Sequence, residues 1–409
     1  MQRSLALVVS LLFGASCGSP THDAPTGGAG RAPTAPPDDA GTAGAAAGRP
    51  AATAGAATAL VPGVWTNISP PAPLKSEELG GRPAGGVLCF AWDPADPMTL
   101  YTGIEHTGIW KTTDGGSSWE QLAPDADVDL YDAKTNQLEV PTGIAVDPAD
   151  PSHLIAVSGV RDNNNGFWIS QDGGRSWAIP QGFKDVSPTY DVTTLAVDPA
   201  DFNHILVGSH AFYNVGVLES KDAGVTWSLH PPPADASWPG GTYGLSILHD
   251  PALGIGNGDT WLVHHDGFWL TKNAGATWSQ VDAGIDGVHG STEVYYSKTG
   301  TLYSGAGSSL ARSNDNGTTW EAISQGLPNA PFITLTGDGN TLYTQPGLAQ
   351  GTCQTLVSSE TDGQTWTEYQ DGTQWLPTGA LRMRFEPTNR IIYSANGGAG
   401  FYALKVLDP

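Results

Sequence analysis

The sequence has few basic residues and few cysteines. Lys and Arg total 18 of 409 residues against 41 Asp and Glu, which gives a formal net charge of -23. Nucleic acids and anionic membrane surfaces are bound by basic faces, so this balance argues against both as partners. Three cysteines are too few for a scaffold held together by disulfides. Cys89 and Cys353 could pair, but they fall in parts of the chain that we do not expect to be adjacent.

Long apolar runs are also scarce. The run from Leu5 to Phe13 is too short to cross a bilayer as a helix, and it follows a basic start at Arg3, an order typical of an export signal. It ends in Gly14-Ala15-Ser16-Cys17, which resembles the bacterial lipobox, although Gly14 stands where Leu is usual. That resemblance implies acylation of Cys17. Residues 1–17 are therefore predicted to be an export signal with a lipobox-like end, and an ordinary secretory signal is the alternative.

The next segment, residues 18–63, consists almost entirely of Ala, Gly, Pro, Thr and Asp. Its small apolar content cannot offset the entropy lost on ordering the chain, so we expect a disordered tether. A lipid anchor followed by such a tether would hold a folded domain clear of a membrane. The predicted location is the cell envelope, at the outer membrane or the cell surface, with secretion as the alternative.

What the chain has in abundance is a repeated motif, Ser/Thr-x-Asp-x-Gly-x-Ser/Thr-Trp, which we call the box. Its copies span residues 112–119, 170–177, 220–227, 271–278, 313–320 and 359–366, so they lie about 40 to 60 residues apart, the period of a four-stranded propeller blade. The Asp position is held by Asp114, Asp172, Asp222, Asn273, Asp315 and, in the sixth copy, Thr361.

Each period has the same internal order. An apolar strand, a turn rich in Pro and Asp, a second strand and a strand of the Gly108-Ile109-Trp110 type precede the box, and a fourth strand follows it. The last period stops after three strands, and Val64-Trp65-Thr66-Asn67-Ile68 supplies a candidate for the missing one. We therefore predict an all-β fold over residues 64–409. It is a seven-bladed β-propeller of four-stranded blades, closed by the N-terminal strand.

The box is explained by turn geometry rather than chemistry. Its Gly tolerates positive φ, and its Asp and Ser/Thr side chains can bond the backbone N–H groups of the turn. A reaction needs one site, whereas turns are needed once in every blade. The motif resembles that of the Asp-box (BNR repeat) β-propeller superfamily, which includes sialidases, xyloglucan-cleaving glycoside hydrolases and sortilin-type binding propellers. The resemblance covers residues 64–409 and implies a fold more than a function.

Strand polarity places a candidate site opposite the boxes, where the loops differ from blade to blade. These loops and the connections between blades carry histidines, an arginine and flat aromatic side chains, which suit a sugar. The candidate ligand-binding residues are His106, Arg161, His210, Tyr213, Trp238, His264 and Trp375.

The resemblance also bears on catalysis. Sialidases use an arginine triad and an Arg-Ile-Pro stretch, but Arg82-Pro83 lacks the Ile, and Arg161, Arg382 and Arg384 are the few arginines left for a triad. Glu105 stands where xyloglucan-cleaving enzymes place their first catalytic Asp, although those enzymes use a cleft between two propellers. Glycoside hydrolysis needs two carboxyls roughly 5–10 Å apart. Asp162 or Asp266 is the candidate second carboxyl.

A metal site is the remaining possibility that the sequence raises. Asp125, Asp127 and Asp129 alternate like the ligands of a calcium loop, but the Gly and Glu of an EF-hand are missing. The stretch His264-His265-Asp266 lacks a zinc spacing with a clear third ligand. No other cofactor is expected.

Three functions are therefore left open by the sequence. The leading one is an envelope-anchored or secreted monomer that binds a glycan or protein on its loop-rich face. The first alternative is a glycoside hydrolase using Glu105 and a second carboxylate. The second alternative is an assembly or scaffold factor.

Overall fold

A computed structural model describes part of the chain. The described residues are 60–72, 86–105, 107–122, 131–132, 137–138, 141–158, 166–186, 192–209, 216–232, 242, 244–265, 267–281, 293–306, 309–327, 332, 334–347, 354–372 and 375–407. The predicted export signal, Cys17 and nearly all of the predicted tether lie outside these ranges.

The described residues form a seven-bladed β-propeller, as the sequence predicted. Each blade is an antiparallel sheet, and in blades 1 to 6 the strands follow one another in chain order from the central axis outward. Blade 1 comprises Val87–Trp92, Leu100–Ile104, Gly108–Thr112 and Glu120–Gln121. Blade 2 comprises Pro141–Val146, Leu154–Ser158 and Gly166–Ser170. Blade 3 comprises Val192–Asp198, Asp201–Ser209, Val217–Ser220 and Ser228–His230.

The remaining blades repeat this order. Blade 4 comprises Gly244–Asp250, Ile255–His264, Phe268–Thr271 and Ser279–Gln280. Blade 5 comprises Tyr295–Tyr296, Leu302–Ala306, Ser309–Ser313 and Glu321–Ala322. Blade 6 comprises Leu335–Gly337, Leu342–Thr344, Val357–Ser359 and Thr367–Glu368, and blade 7 comprises Arg382–Glu386, Ile391–Ala395 and Phe401–Lys405. Two short ribbons pair Tyr131–Asp132 with Gln137–Leu138 and Gln354–Thr355 with Trp375–Leu376.

The fourth strand of blade 7 comes from the N-terminal side of the propeller. Trp65–Asn67 pairs antiparallel with Phe401–Lys405, Trp65 lying opposite Leu404. Just before this strand, the N–H of Gly63 donates to the carbonyl of Lys405 at 2.7 Å. The prediction of a ring closed by the N-terminal strand is therefore confirmed.

Blade 2 departs from the regular pattern at its outer edge. Its fourth strand is reduced to one bridged residue, Ala178, whose backbone exchanges two hydrogen bonds of 2.9 Å with Ile169. Pro180 follows two residues later and has no N–H to continue the ladder, and the chain turns into the helix Gln181–Val186. A 3₁₀ turn, Tyr369–Gly372, follows blade 6. No helix among the described residues is long and apolar enough to span a membrane.

Adjacent blades are joined by aromatic packing. In blades 3 and 5 the box tryptophan lies edge-on to an aromatic ring in the third strand of the preceding blade. Trp227 meets Phe167 with ring centroids 4.8 Å apart, and Trp320 meets Phe268 at the same separation. Each edge-to-face pair adds about 0.5–1.5 kcal/mol to the burial of the rings. The tryptophans of the box therefore stabilise the ring between blades.

The boxes lie beside the turns that connect first and second strands. The N–H of Gly173 donates to the carbonyl of Ser152, just before the second strand of blade 2, and that of Ala223 donates to the carbonyl of Asn203, near the start of the second strand of blade 3. We call this side of the ring the turn face and the opposite side the loop-rich face. The predicted division of the propeller into these two faces is confirmed.

Cys89 is a free thiol in the inner strand of blade 1. It is fully buried and its Sγ donates to the carbonyl of Pro141 at 3.3 Å. Burial is the main cause that raises the pKa of this thiol, to about 11. The pairing with Cys353 that was considered from the sequence is not formed by Cys89 here, and Cys353 itself lies outside the described residues.

Candidate functional site

Glu105 lies on the loop-rich face, as the strand order requires. It follows the second strand of blade 1, and its N–H donates to the carbonyl of Gly86 at 3.0 Å. The side chain is half-buried. Gly86 precedes the inner strand of the same blade, so this contact places Glu105 near the mouth of the central channel.

Most of the other predicted site residues fall outside the described part of the chain. This applies to the carboxylates Asp162 and Asp266 and to the possible calcium ligands Asp125, Asp127 and Asp129. It applies equally to His106, Arg161, His210, Tyr213, Trp238 and the side chain of Trp375. Their proposed roles stay predictions. Within the described ranges, no group of three His, Cys, Asp or Glu side chains is arranged to hold a metal ion.

His264 is described, and it is buried rather than displayed on the surface. It ends the second strand of blade 4, is 2% exposed, and stacks on the ring of Phe268 at 4.6 Å. Burial alone lowers its pKa to about 3, so the ring is neutral at physiological pH. Its ring nitrogens have no hydrogen-bond partner. In this position His264 contacts the core and not the surface of the loop-rich face.

A small cavity opens between blades 5 and 6, toward the loop-rich face. Its volume is about 260 Å³, and its lining includes Trp366, Gln354 and Glu368. The indole N–H of Trp366 donates to the carbonyl of Ile323 at 2.7 Å, which fixes the ring. A fixed aromatic ring beside an amide and a carboxylate is a combination that suits a sugar ring. From the sequence, Trp366 is predicted only to be the tryptophan of the sixth box.

The box carboxylates are engaged inside their own turns. Asp172 accepts hydrogen bonds from the hydroxyl of Ser170 at 2.8 Å and from the N–H and hydroxyl of Ser176 at 2.9 and 2.6 Å. Partial burial acts to raise the pKa of Asp172, but these hydrogen bonds lower it on balance. Asp114, Asp222 and Asp315 make the same contacts. Asn273 and Thr361 take over the backbone contact without a charge.

A second cavity occupies the central channel, at its turn-face end. It has a volume of about 540 Å³, and side chains from the inner strands of the blades line it. Most of these side chains are apolar, and they include Trp92, Leu195, Val197, Val294 and Ile247. The sequence predicts no functional role for this end of the channel.

One side of the channel carries an ion cluster. Glu293, just before the inner strand of blade 5, accepts a hydrogen bond of 3.0 Å from Arg382 and a second from Nε of Arg384, both in blade 7. These contacts reach past blade 6, whose inner strand bonds blade 7 through Thr334 and Thr336. Burial acts to raise the pKa of Glu293, but the two guanidinium groups lower it on balance.

A second charged network extends from the channel toward the rim of blade 3. Asp198 contacts Nδ1 of His204 at 3.1 Å and Nδ1 of His249 at 2.8 Å. On its other side, His204 contacts Glu219 through Nε2 at 2.9 Å, and Glu219 reaches His230 at 3.0 Å. All three members of the Asp198, His204 and Glu219 chain are buried.

His204 is cationic in this network. Burial opposes its protonation, but hydrogen bonds to Asp198 and Glu219 outweigh that effect and raise the pKa of His204 to about 9. The pKa of Glu219 is held well below its usual range because His204, His230 and Lys221 outweigh its burial. A sequence signal for part of this network exists, since the spacing from Asp198 to His204 also occurs from Asp147 to His153.

Comparison with known proteins supports the fold and points to one enzyme class. No protein-family model matches the chain. It is 25% identical over 285 residues to xyloglucanase Xgh74A of Acetivibrio thermocellus, covering 65% of this chain and 28% of that protein. It is 27% identical over 271 residues to a xyloglucanase of Hypocrea jecorina, covering 60% and 26%. The chain thus spans about a quarter of the length of these curated relatives.

Solved structures give the same architecture. The propeller matches an ancestral GH74 enzyme with a TM-score of 0.56 at 18% identity, over 83% of this chain and 46% of that one. It matches YCF48 from Cyanidioschyzon merolae with a TM-score of 0.59 at 11% identity, over 83% and 98%. Identities this low show a shared fold. The relatives found by sequence are xyloglucanases.

Proposed function

We propose that this chain is an Asp-box propeller of the glycoside hydrolase type and that it acts on a xyloglucan-like glycan at its loop-rich face. The observation that carries the proposal is the sequence similarity to xyloglucanases over 60% to 65% of the chain. The position of Glu105 at the channel mouth of the loop-rich face supports it. This reading replaces simple ligand binding, which was the leading interpretation of the sequence, as the first candidate.

The chemistry requires two carboxyl groups on either side of the glycosidic bond, one acting as acid and the other as base or nucleophile. We assign Glu105 as the first. Asp162 and Asp266, in the corresponding loops of blades 2 and 4, are the candidates for the second. Trp366 and Glu368 in the cavity between blades 5 and 6 would extend sugar binding along the same face.

The test is release of new reducing ends from xyloglucan by the full chain. We expect release by the wild type and a loss of at least about 100-fold in kcat/KM for Glu105→Gln, because the side chain keeps its shape and loses its ionisable proton. Glu120→Gln, an exposed change in the outer strand of blade 1, is the matched control and should leave the rate unchanged. No release by the wild type, or an unchanged rate for Glu105→Gln, would contradict the proposal.

A second candidate is glycan binding without cleavage. It is favoured by the closure of the described residues into one ring, whereas the resemblance to xyloglucan-cleaving enzymes implies a cleft between two propellers. Retention on immobilised xyloglucan that survives Glu105→Gln, together with no release of reducing ends, would decide for it. The assembly or scaffold role that the sequence left open stays a prediction.

The cellular setting is part of the same proposal. We infer export through residues 1–17, acylation at Cys17 and a tether over residues 18–63, which would present the propeller to extracellular polysaccharide. Labelled palmitate should be incorporated by the wild type and not by Cys17→Ala. Incorporation that persists in Cys17→Ala would exclude this anchor.

A further inference from the structure

We propose that the central channel is a second binding site, opening on the turn face, and that it takes the carboxylate of a small organic acid with an apolar body. Arg384 is its anchor. The site is separate from the one proposed around Glu105, which lies on the opposite face.

Arg384 is the cation of the channel that is open to a ligand. Two guanidinium groups, Arg382 and Arg384, share the single carboxylate of Glu293. The side chain of Arg382 is 6% exposed, whereas that of Arg384 is 37% exposed and lines the cavity. Arg384 shares its counter-ion with Arg382 and is only partly exposed, so a second anion would stabilise its charge, and Arg384 favours a monoanionic ligand.

Arg384 has the geometry to take a carboxylate. Its Nε is used by Glu293, and its terminal nitrogens make no hydrogen bond within the described ranges. A guanidinium group offers two edges for bidentate contacts, and the edge formed by its two terminal nitrogens matches the two oxygens of a carboxylate. The cluster therefore holds one side of Arg384 in place and leaves the other side for a ligand.

The rest of the lining selects the body of that ligand. Trp92, Ala145, Leu195, Val197 and Val294 contribute mainly carbon surface to the channel. An alkyl or aryl group would be stabilised by burial against these apolar side chains, beside the polar groups that also line the channel. A volume of about 540 Å³ is enough for such a molecule.

Two carboxylates on the blade 3 side of the channel do not cancel this preference. Both oxygens of Asp198 are used by His204 and His249, and His204 carries a compensating positive charge. Asp201 accepts from the N–H and side-chain amide of its neighbour Asn203 at 3.0 Å and is exposed. Asp201 therefore disfavours a carboxylate beside blade 3, and Arg384 is left as its partner on the other side of the channel.

The test is calorimetric titration of the full chain with 3-phenylpropionate and, as its neutral match, 3-phenylpropionamide. We expect the acid to bind at least about tenfold more tightly than the amide, because only the acid forms charge-assisted hydrogen bonds with Arg384. Arg384→Met should weaken binding of the acid by a similar factor. The matched control is Arg312→Met, which removes an arginine paired with Glu321 and Asp362 on the rim of blade 5 and should have no effect.

Several outcomes would overturn the proposal. These are equal binding of acid and amide, no saturable binding of the acid, or binding unchanged by Arg384→Met. If Arg384→Met lowers the melting temperature, Arg384→Lys is the variant that tests the proposal. Lysine keeps the positive charge but lacks the planar guanidinium group, so the folded Arg384→Lys protein should lose part of its affinity for 3-phenylpropionate. D-glucuronate should bind more weakly than 3-phenylpropionate. Tighter binding of D-glucuronate would contradict the inference that the ligand has an apolar body. Activity on xyloglucan should not change in any of these variants.

Discussion

The buried His204 makes the stability of this propeller depend on pH in a direction that can be derived from its contacts. It lies between Asp198 and Glu219, at 3.1 and 2.9 Å, and both of its ring nitrogens donate. The change to test is His204→Gln, which retains donor groups but cannot gain or lose a proton in the working range. The two carboxylates would then remain buried without the cation between them.

The magnitude follows from the pKa of His204. A rise from the ordinary value of 6.5 to about 9, at about 1.4 kcal/mol for each tenfold change in proton affinity, corresponds to about 3 kcal/mol of stability. Because the folded protein holds this proton more tightly, the stabilisation is complete below about pH 6.5 and is lost as pH rises through about 9. Glu219, with its lowered pKa, acts oppositely: its stabilisation is present above its ordinary value of 4.5 and is lost as pH falls.

The measurement is the free energy of unfolding in urea, followed by tryptophan fluorescence at about pH 6 and pH 10. We expect His204→Gln to be less stable than the wild type by about 3 kcal/mol at the lower pH and by much less at the higher pH. The control is His153→Gln in blade 2, where the histidine contacts the carboxylate of Asp147 at 3.1 Å and the ring of Phe202, and where Ile169 stands in place of Glu219. A difference between wild type and His204→Gln that stays constant with pH would refute the reasoning.

Two further predictions concern the frame of the ring. Asp172→Ala removes three hydrogen bonds of one box turn and should lower the free energy of unfolding by about 1–2 kcal/mol. Asp185→Ala, on the helix, is the control and should have little effect. Equal stability of the two variants would argue against the structural role of the box. Deletion of residues 64–69 removes the strand that closes blade 7 and should abolish cooperative melting measured by circular dichroism, so an unchanged transition would contradict closure by this strand.

The architecture was predictable because it is periodic. Each box carries its own turn geometry, and its recurrence counts the blades without any knowledge of long-range contacts. Ring closure was predictable for a related reason, since the last period stops after Phe401–Lys405 and a strand around Trp65 was left without a partner. The repeat predicts a full fourth strand in blade 2. The observed strand is reduced to one bridged residue because Pro180, which is not part of the repeat, follows it.

The ion cluster in the channel could not be predicted in this way. Glu293 meets Arg382 and Arg384 across about 90 positions of sequence and past a whole intervening blade, so no local pattern connects them. The pairing of Asp198 with His204 is local and could have been noticed, but the contribution of Glu219 depends on the third strand lying beside the second. The roles predicted for the candidate residues of the loop-rich face stay predictions, including those of Glu105, which follows the second strand of blade 1, and of His264, which is buried.

One position of the third strand shows how chemistry is added to a repeated frame. The residue that precedes the box by one place is Ile169 in blade 2 and Leu270 in blade 4, and both are apolar. In blade 3 this residue is Glu219, which contacts two histidines and a lysine. In blade 5 it is Arg312, which forms ion pairs with two carboxylates. A frame that tolerates an aliphatic side chain at this position does not require a charge there. Departures from the repeat, rather than the repeat itself, therefore mark the blades in which this propeller has acquired properties of its own.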